Sequence, residues 1–236
     1  MTIILKSFDK QKFISEMYRN DVKRCLKYPE DMKTAKESFL KLEAMCRKTN
    51  QDDIFCENAQ KFAIHLQKNG KMKLANIIYG ELGKIFGAIG KIGQAEECIE
   101  KSIDICNCLD DKIHILARLT DLEIIYKHSR NGKKLYTTLI RKIECGKEIL
   151  NNYENYVKRF NTISRKPMSQ EAIKVQMAYA YSDLADIIKH KRPHHSIKLI
   201  KKAQEIYIEL NRQKEVNYLT KKIELITQGS KNTQFK

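Results

Sequence analysis

From Asp9 onward, apolar residues recur every three or four positions in stripes separated only by short polar breaks. That period belongs to amphipathic helices, each of which must bury one face. Strands would need runs rich in Val and Ile bounded by turn residues, and no such set is present. Only the opening Met1-Thr-Ile-Ile-Leu-Lys6 reads as strand-like or anchoring. With three prolines in 236 residues and 31% charged residues, the chain is expected to be all-α, with about ten helices.

The stripes place the helices one by one. Phe13, Met17 and Val22 mark a first helix over Asp9 to Lys27, and Pro29 opens a second lined by Phe39, Leu42 and Met45. Asp52 and Asp53 start a third, with Ala59, Phe62, Ala63 and Leu66 inside and Asn69-Gly70 as its stop. A fourth carries Leu74, Ile78, Leu82, Ile85 and Phe86 to Gly90; a fifth carries Ile92, Ala95, Ile99, Ile103 and Cys106. Ile115, Leu119, Leu122 and Tyr126 define a sixth, closed by Asn131-Gly132. Leu135, Leu139, Ile143 and Leu150 define a seventh, whose spacing continues through Tyr153, Tyr156 and Phe160. Asn161 to Ser169 reads as a linker with Ser169 as the next cap. An eighth helix follows from Ile173 to Ile188, ended by Pro193; Ile197 to Ile206 gives a ninth and Val216 to Ile226 a tenth.

Five of the nine glycines fall in Gly80-Glu-Leu-Gly-Lys-Ile-Phe-Gly-Ala-Ile-Gly-Lys-Ile-Gly93. Such density suggests a phosphate-cradling loop. The P-loop pattern fails, however, because Gly90-Lys91 is followed by Ile92 and the residue five places before Gly90 is Ile85. The dinucleotide fingerprint fails too, since no strand precedes these glycines. They read instead as helix contacts and corners: Gly83 as a close-approach residue and Gly90 as a turn. His194-His195 is the densest histidine pair, but adjacent helix residues diverge too far for easy joint metal ligation. No nucleophile sits beside a base in any recognisable motif, so an enzyme, a cofactor and a metal are not expected.

Tyr79-x-x-Leu82-Gly83-x-x-Phe86-x-x-x-Gly90-x-x-x-x-Ala95-x-x-x-Ile99-x-x-Ser102 has the order of large, small, large, turn glycine and small residues that resembles a tetratricopeptide repeat. Tyr181-x-x-Leu184-Ala185-x-x-Ile188 followed by Ser196-x-x-x-Ile200-x-x-Ala203 looks like a second copy. Residues 76–109 and 178–211 match best, Leu119 to Leu139 resembles a degenerate copy, and 151–169 is an insertion. Phe62-Ala63-x-x-Leu66-x-x-x-Gly70-x-x-x-x-Ala75 also fits, which leaves the pairing register open. The resemblance implies a right-handed α-α superhelix of antiparallel helix pairs over residues 1–228, followed by a polar tail, 229–236. It also implies a groove that takes a peptide or partner helix. Groove-facing candidates are Ile77, Gly80, Lys84 and Gly87 in one copy and Tyr179, Ser182, Asp186 and Lys189 in the other.

Charge adds a second functional expectation. Residues 129–236 carry 23 Lys and Arg against 10 Asp and Glu, out of a net charge of +16 for the whole chain. A basic half steers acidic partners by long-range attraction, although scattered lysines are also a common solvated surface. Tyr153, Tyr156 and Phe160 interleave with Lys158, Arg159, Arg165 and Lys166, and Lys191, Arg192, Lys198, Lys201 and Lys202 form a second basic cluster. This permits binding of single-stranded RNA as the alternative to a protein or peptide partner. Self-association is also open. Seven cysteines at mostly apolar helical positions read as small hydrophobes of a reducing, cytoplasmic compartment. No apolar run approaches the length of a membrane span.

Overall fold

A computed structural model describes residues 52–161 and 168–233. Among the described residues there are nine helices: α1 (Asp52–Lys68), α2 (Met72–Ala88), α3 (Ile92–Cys108), α4 (Lys112–His128), α5 (Gly132–Asn151), α6 (Tyr153–Asn161), α7 (Gln170–Ile188), α8 (Pro193–Glu209) and α9 (Gln213–Thr233). The expected strand-like opening and first two helices lie outside the described residues, as does most of the linker between Asn161 and Ser169. Among the described residues the regular structure is all α-helix, as the sequence predicts.

The first five of these helices start at residues 52, 72, 92, 112 and 132, and their cores keep the same 20-residue register. Ala59, Tyr79, Ile99, Leu119 and Leu139 are all buried, and so are Phe62, Leu82, Ser102, Leu122 and Lys142. Leu66, Phe86, Cys106, Tyr126 and Gly146 form a third such series. A helix pair therefore spans 40 residues, whereas the standard tetratricopeptide unit has 34. The difference is about three residues per helix, close to one turn. Burying each Leu, Ile or Phe of these series contributes roughly 1.5–3 kcal/mol, and the recurring positions give every helix the same inward face.

The turns repeat with the cores. Gly70 (φ 69), Gly90 (φ 77), Asp110 (φ 53), Arg130 (φ 54) and, after the insertion, Asn211 (φ 55) all have left-handed backbone. In each turn the N–H of the next residue reaches back to a core residue's carbonyl: Lys71 to Leu66 (2.9 Å), Lys91 to Phe86 (2.8 Å), Asp111 to Cys106 (2.8 Å), Asn131 to Tyr126 (3.0 Å) and Arg212 to Tyr207 (2.8 Å). This is the Schellman closure, which satisfies helix-end carbonyls and favours glycine at its left-handed residue. Arg130 is exposed and carries the steric penalty that Gly90 avoids. Arg130→Gly is accordingly expected to stabilise the fold by up to about 1 kcal/mol and Gly90→Ala to destabilise it by about 1 kcal/mol. Urea titration checks both; the same sign for the two changes would contradict the assignment.

The described residues divide into two compact units, one up to Ile105 and one from Cys106. In the first unit α1 packs on α2, and α2 meets α3 at Gly83, where an added Cβ would lie 2.3 Å from Ile99 Cγ1. The Ser102 hydroxyl donates to the Asn76 carbonyl group across the same contact, and also meets the Asn76 side-chain oxygen. In the second unit α4 packs on α5, α5 on α7, α7 on α8 and α8 on α9. Gly146 of α5 is its close-approach residue, since an added Cβ would meet Met177 Cγ at 2.6 Å. Ser196 plays the part of Ser102 here, donating to the Ala185 carbonyl at 2.9 Å.

Four sequence expectations change. The seventh helix does not continue through Phe160: it ends at Asn151, Asn152 takes φ −125 and ψ 28, and α6 starts afresh. Asparagine competes for backbone hydrogen bonds and favours such breaks. Pro193 does not end a helix but opens α8 at its first turn, where its missing N–H costs nothing. Asn131 and Gly132 do not close a helix; Asn131 caps α5 by accepting from the Lys134 N–H, and Arg130 supplies the left-handed turn. The polar tail from Gly229 is helical through Thr233. Ser169 caps α7 as expected, accepting from the Ala172 N–H at 3.1 Å.

Candidate functional site

Hydrogen bonds fix which faces meet in the second unit. Thr120 Oγ1 and Gln176 Oε1 lie 3.2 Å apart, and Lys127 Nζ is 2.6 Å from Asp183 Oδ2, so α4 and α7 run parallel at a constant offset of 56 residues. Arg212 bonds Glu171 at 2.9 Å, and Lys222 Nζ reaches Ser182 Oγ (2.8 Å) and Asp186 Oδ2 (2.7 Å), so α9 runs parallel to α7 on its other flank. Helices α4, α7 and α9 thus form one layer, backed by α5 and α8.

Tyr179 sits at the centre of this layer's outer face. Along α7, Gln176 and Asp183 turn toward α4 while Ser182 and Asp186 turn toward α9. At about 100° per residue Tyr179 points between these two directions, opposite the buried Ala178, Tyr181 and Ala185. It is 53% exposed, and the buried Tyr207 braces it edge to face, with ring centroids 6.3 Å apart at 79°.

Its neighbours on the layer repeat the pattern. Ile124 lies one turn from Thr120 and from Lys127 on α4, and Tyr218 lies one turn before Lys222 on α9. Both stay exposed, as does Leu225, one turn after Lys222. The offset of 56 sets Ile124 beside residue 180, and the Lys222–Ser182 separation of 40 sets Tyr218 beside residue 178. Ile124, Tyr179 and Tyr218 consequently form a row across three helices.

Paired charges border this row. Lys127 joins Asp183 to Glu123 (2.7 Å), and Glu123 also holds the buried Lys142 at 2.6 Å. Burial pushes the Glu123 carboxyl up, but the Lys142 charge and the two ammonium hydrogen bonds outweigh it and hold the group below its ordinary value. Asp183 is raised by burial despite its bond to Lys127. On the other side Lys189 adds a weaker contact to Asp186 at 3.5 Å. With these ions satisfied within the protein, the rings are the groups that remain to contact a partner.

The expected groove residues fall unevenly. Tyr179 is displayed; Asp186 and Lys189 are half-buried and paired with each other, and Asp186 also binds Lys222. Ser182 is not open to a ligand, because it is buried under the Lys222 ammonium. In the first unit Lys84 is exposed and paired with Glu81, whereas Ile77 and Gly87 are half-buried. Gly80 is buried and forms no bare floor. Ile124, Tyr218 and Leu225 escape sequence reasoning, because only the cross-helix offsets bring them beside Tyr179.

Among the basic residues, Lys158, Lys191, Arg192, Lys198, Lys201 and Lys202 are exposed. The Arg159 side chain, Arg165, Lys166 and the Phe160 ring lie outside the described residues. Tyr153 and Tyr156 are half-buried, and Tyr153 donates to the Met168 carbonyl at 2.8 Å, so these two rings are not displayed for base stacking. Cys56, Cys98, Cys106 and Cys145 are buried and Cys108 is exposed. Burial pushes the Cys98 thiol up to about 11 and Cys145 up to about 12, which keeps both protonated at neutral pH. No helix among the described residues is long and apolar enough to cross a membrane.

No family model and no curated protein sequence matches the chain. Its structure is similar to BtubC (BKLC) from P. vanneervenii, with a TM-score of 0.51 and 12% identity over 94% of this chain and 92% of that one. Weaker likenesses are to the nearly identical TPR-like repeats of a Podosopora anserina protein assigned as a kinesin light chain. One has a TM-score of 0.48 and 14% identity over 86% and 95% of the two chains. Its Q17M form has a TM-score of 0.46 and 16% identity over the same shares. At such identities likeness speaks to fold, and the fold is that of a tetratricopeptide-like helical repeat protein.

Proposed function

We propose that the chain is a non-enzymatic protein-interaction module, an adaptor or scaffold, and that the α4–α7–α9 layer holds an extended peptide or one face of a partner helix. The observation that carries this reading is the exposed row of Ile124, Tyr179 and Tyr218, set between ion pairs that need no partner. Rigid aromatic anchors with few rotatable bonds are the side chains that dominate binding energy at protein interfaces. Apolar side chains three or four residues apart on a partner helix would meet such a row. The surplus of cations in the surrounding half favours a partner with acidic flanks. Buried, protonated thiols suit a reducing compartment, and we place the protein in the cytoplasm.

A photoreactive phenylalanine analogue tests the surface directly. Placed at Tyr179 or Tyr218, it is expected to cross-link a protein in extract of the native cells. At Tyr136 and Ile208, which are exposed on the backing helices α5 and α8, it is expected to give none. Equal yields at all four positions, or none at Tyr179 and Tyr218, would count against the site.

A further inference from the structure

Helix α8 breaks two rules of surface charge at once. Every exposed residue from Lys191 to Lys202 is basic or histidine: Lys191, Arg192, His194, His195, Lys198, Lys201 and Lys202. The helix has no acidic residue in its first turn and no basic one in its last, and its exposed acids, Glu205 and Glu209, lie toward its C-terminal end. This order is the reverse of what the helix dipole favours, because cations near an N-terminus are repelled. Among the described residues, none of these five Lys and Arg side chains forms an ion pair, and only Lys202 is otherwise engaged, over the Tyr181 ring at 5.7 Å. A local rule broken without internal compensation marks a functional surface more often than a structural one.

The chemistry of the row narrows the partner. No exposed apolar or aromatic residue lies between Lys191 and Glu205, and protein interfaces need an apolar centre and are depleted in lysine. Unpaired bases need rings to stack on. Neither requirement is met, whereas a run of cations from Lys191 and Arg192, just before α8, to Lys198, Lys201 and Lys202 within it matches closely spaced phosphates. We propose that the outer face of α8 binds the phosphate backbone of double-stranded nucleic acid without reading its sequence. It lies on the layer that backs α4, α7 and α9, so this binding leaves the peptide surface free.

Fluorescence anisotropy with a labelled 20-base-pair DNA duplex, titrated at several salt concentrations, tests the proposal on the full chain. Log affinity is expected to fall linearly with log salt and to be equal for two unrelated sequences. Lys191→Ala/Lys198→Ala/Lys201→Ala is expected to reduce that slope by about three, roughly one per lost phosphate contact, with an unchanged helical circular dichroism spectrum. The proposal is overturned by absence of duplex binding at low salt, by an unchanged slope in the variant, or by strong sequence preference. It is equally overturned if an acidic peptide or vesicles of phosphatidylserine bind α8 while the duplex does not.

Discussion

Glu123→Ala is expected to cost about 3–5 kcal/mol of folding stability, because it leaves the Lys142 ammonium buried without its carboxylate. The repeat register shows how unusual this pair is. Glu123 stands where Ala63, Gly83, Ile103 and Ile143 stand in the neighbouring helices, and Lys142 stands where Phe62, Leu82, Ser102 and Leu122 stand. Two exceptions to the apolar pattern have become each other's partners across α4 and α5. Replacing both by their register's apolar choice, Glu123→Ile with Lys142→Leu, is therefore expected to return stability to within about 1 kcal/mol of the parent, or above it. Lys127 keeps Asp183 in that variant. Urea unfolding of the two singles and the double checks this, and a double as damaged as the singles would show that the pair is not what sets the cost.

Acidification should report on the same network. Glu123 has a lowered pKa in the fold, so its contribution is full above the pKa of the unfolded carboxyl and is lost as pH falls through the folded value. Asp183, with its raised value, works in the opposite sense, since its protonation on acidification favours the fold. Glu123→Gln is expected to weaken the loss of stability in acid.

Gly83→Leu is expected to cost at least about 3 kcal/mol through overpacking. Its first side-chain carbon would already lie 2.3 Å from Ile99 Cγ1 and 3.2 Å from the Ala95 carbonyl oxygen, and Ile99 is fully buried with nowhere to go. Gly146→Ala meets Met177 Cγ and Sδ at 2.6 and 2.7 Å, but that side chain is unbranched and flexible. Its cost is expected to be smaller, about 1 kcal/mol. Thermal melts rank the two, and the opposite order would refute the contact assigned to Gly83.

The helices were legible because a buried stripe leaves a 3.6-residue signature, and Gly83 and Gly90 were legible because a close approach and a left-handed turn each exclude a side chain. Gly80 and Gly87 do not follow from the same logic: one is buried and the other half-buried, with no exposed floor between them. The 20-residue register stayed hidden because its turns use Asp110 and Arg130 where Gly70 and Gly90 stand elsewhere. Its core likewise accepts Ser102, Glu123 and Lys142 among large apolar residues. Of the candidate surface, Tyr179 could be found on its own helix. Ile124 and Tyr218 could not, because their place beside it depends on offsets of 56 and 40 residues set by Lys127 and Lys222.

The central claim, that the α4–α7–α9 layer is a docking surface, is tested most directly by selecting a random peptide library on the intact protein and measuring the selected peptides by calorimetry. The account predicts peptides with apolar or aromatic anchors and acidic flanks, and at least a 30-fold loss of affinity on Tyr179→Ser/Tyr218→Ser, the cost of removing hot-spot rings worth about 2 kcal/mol or more. Selected peptides that bind the doubly substituted protein as tightly as the parent would contradict it.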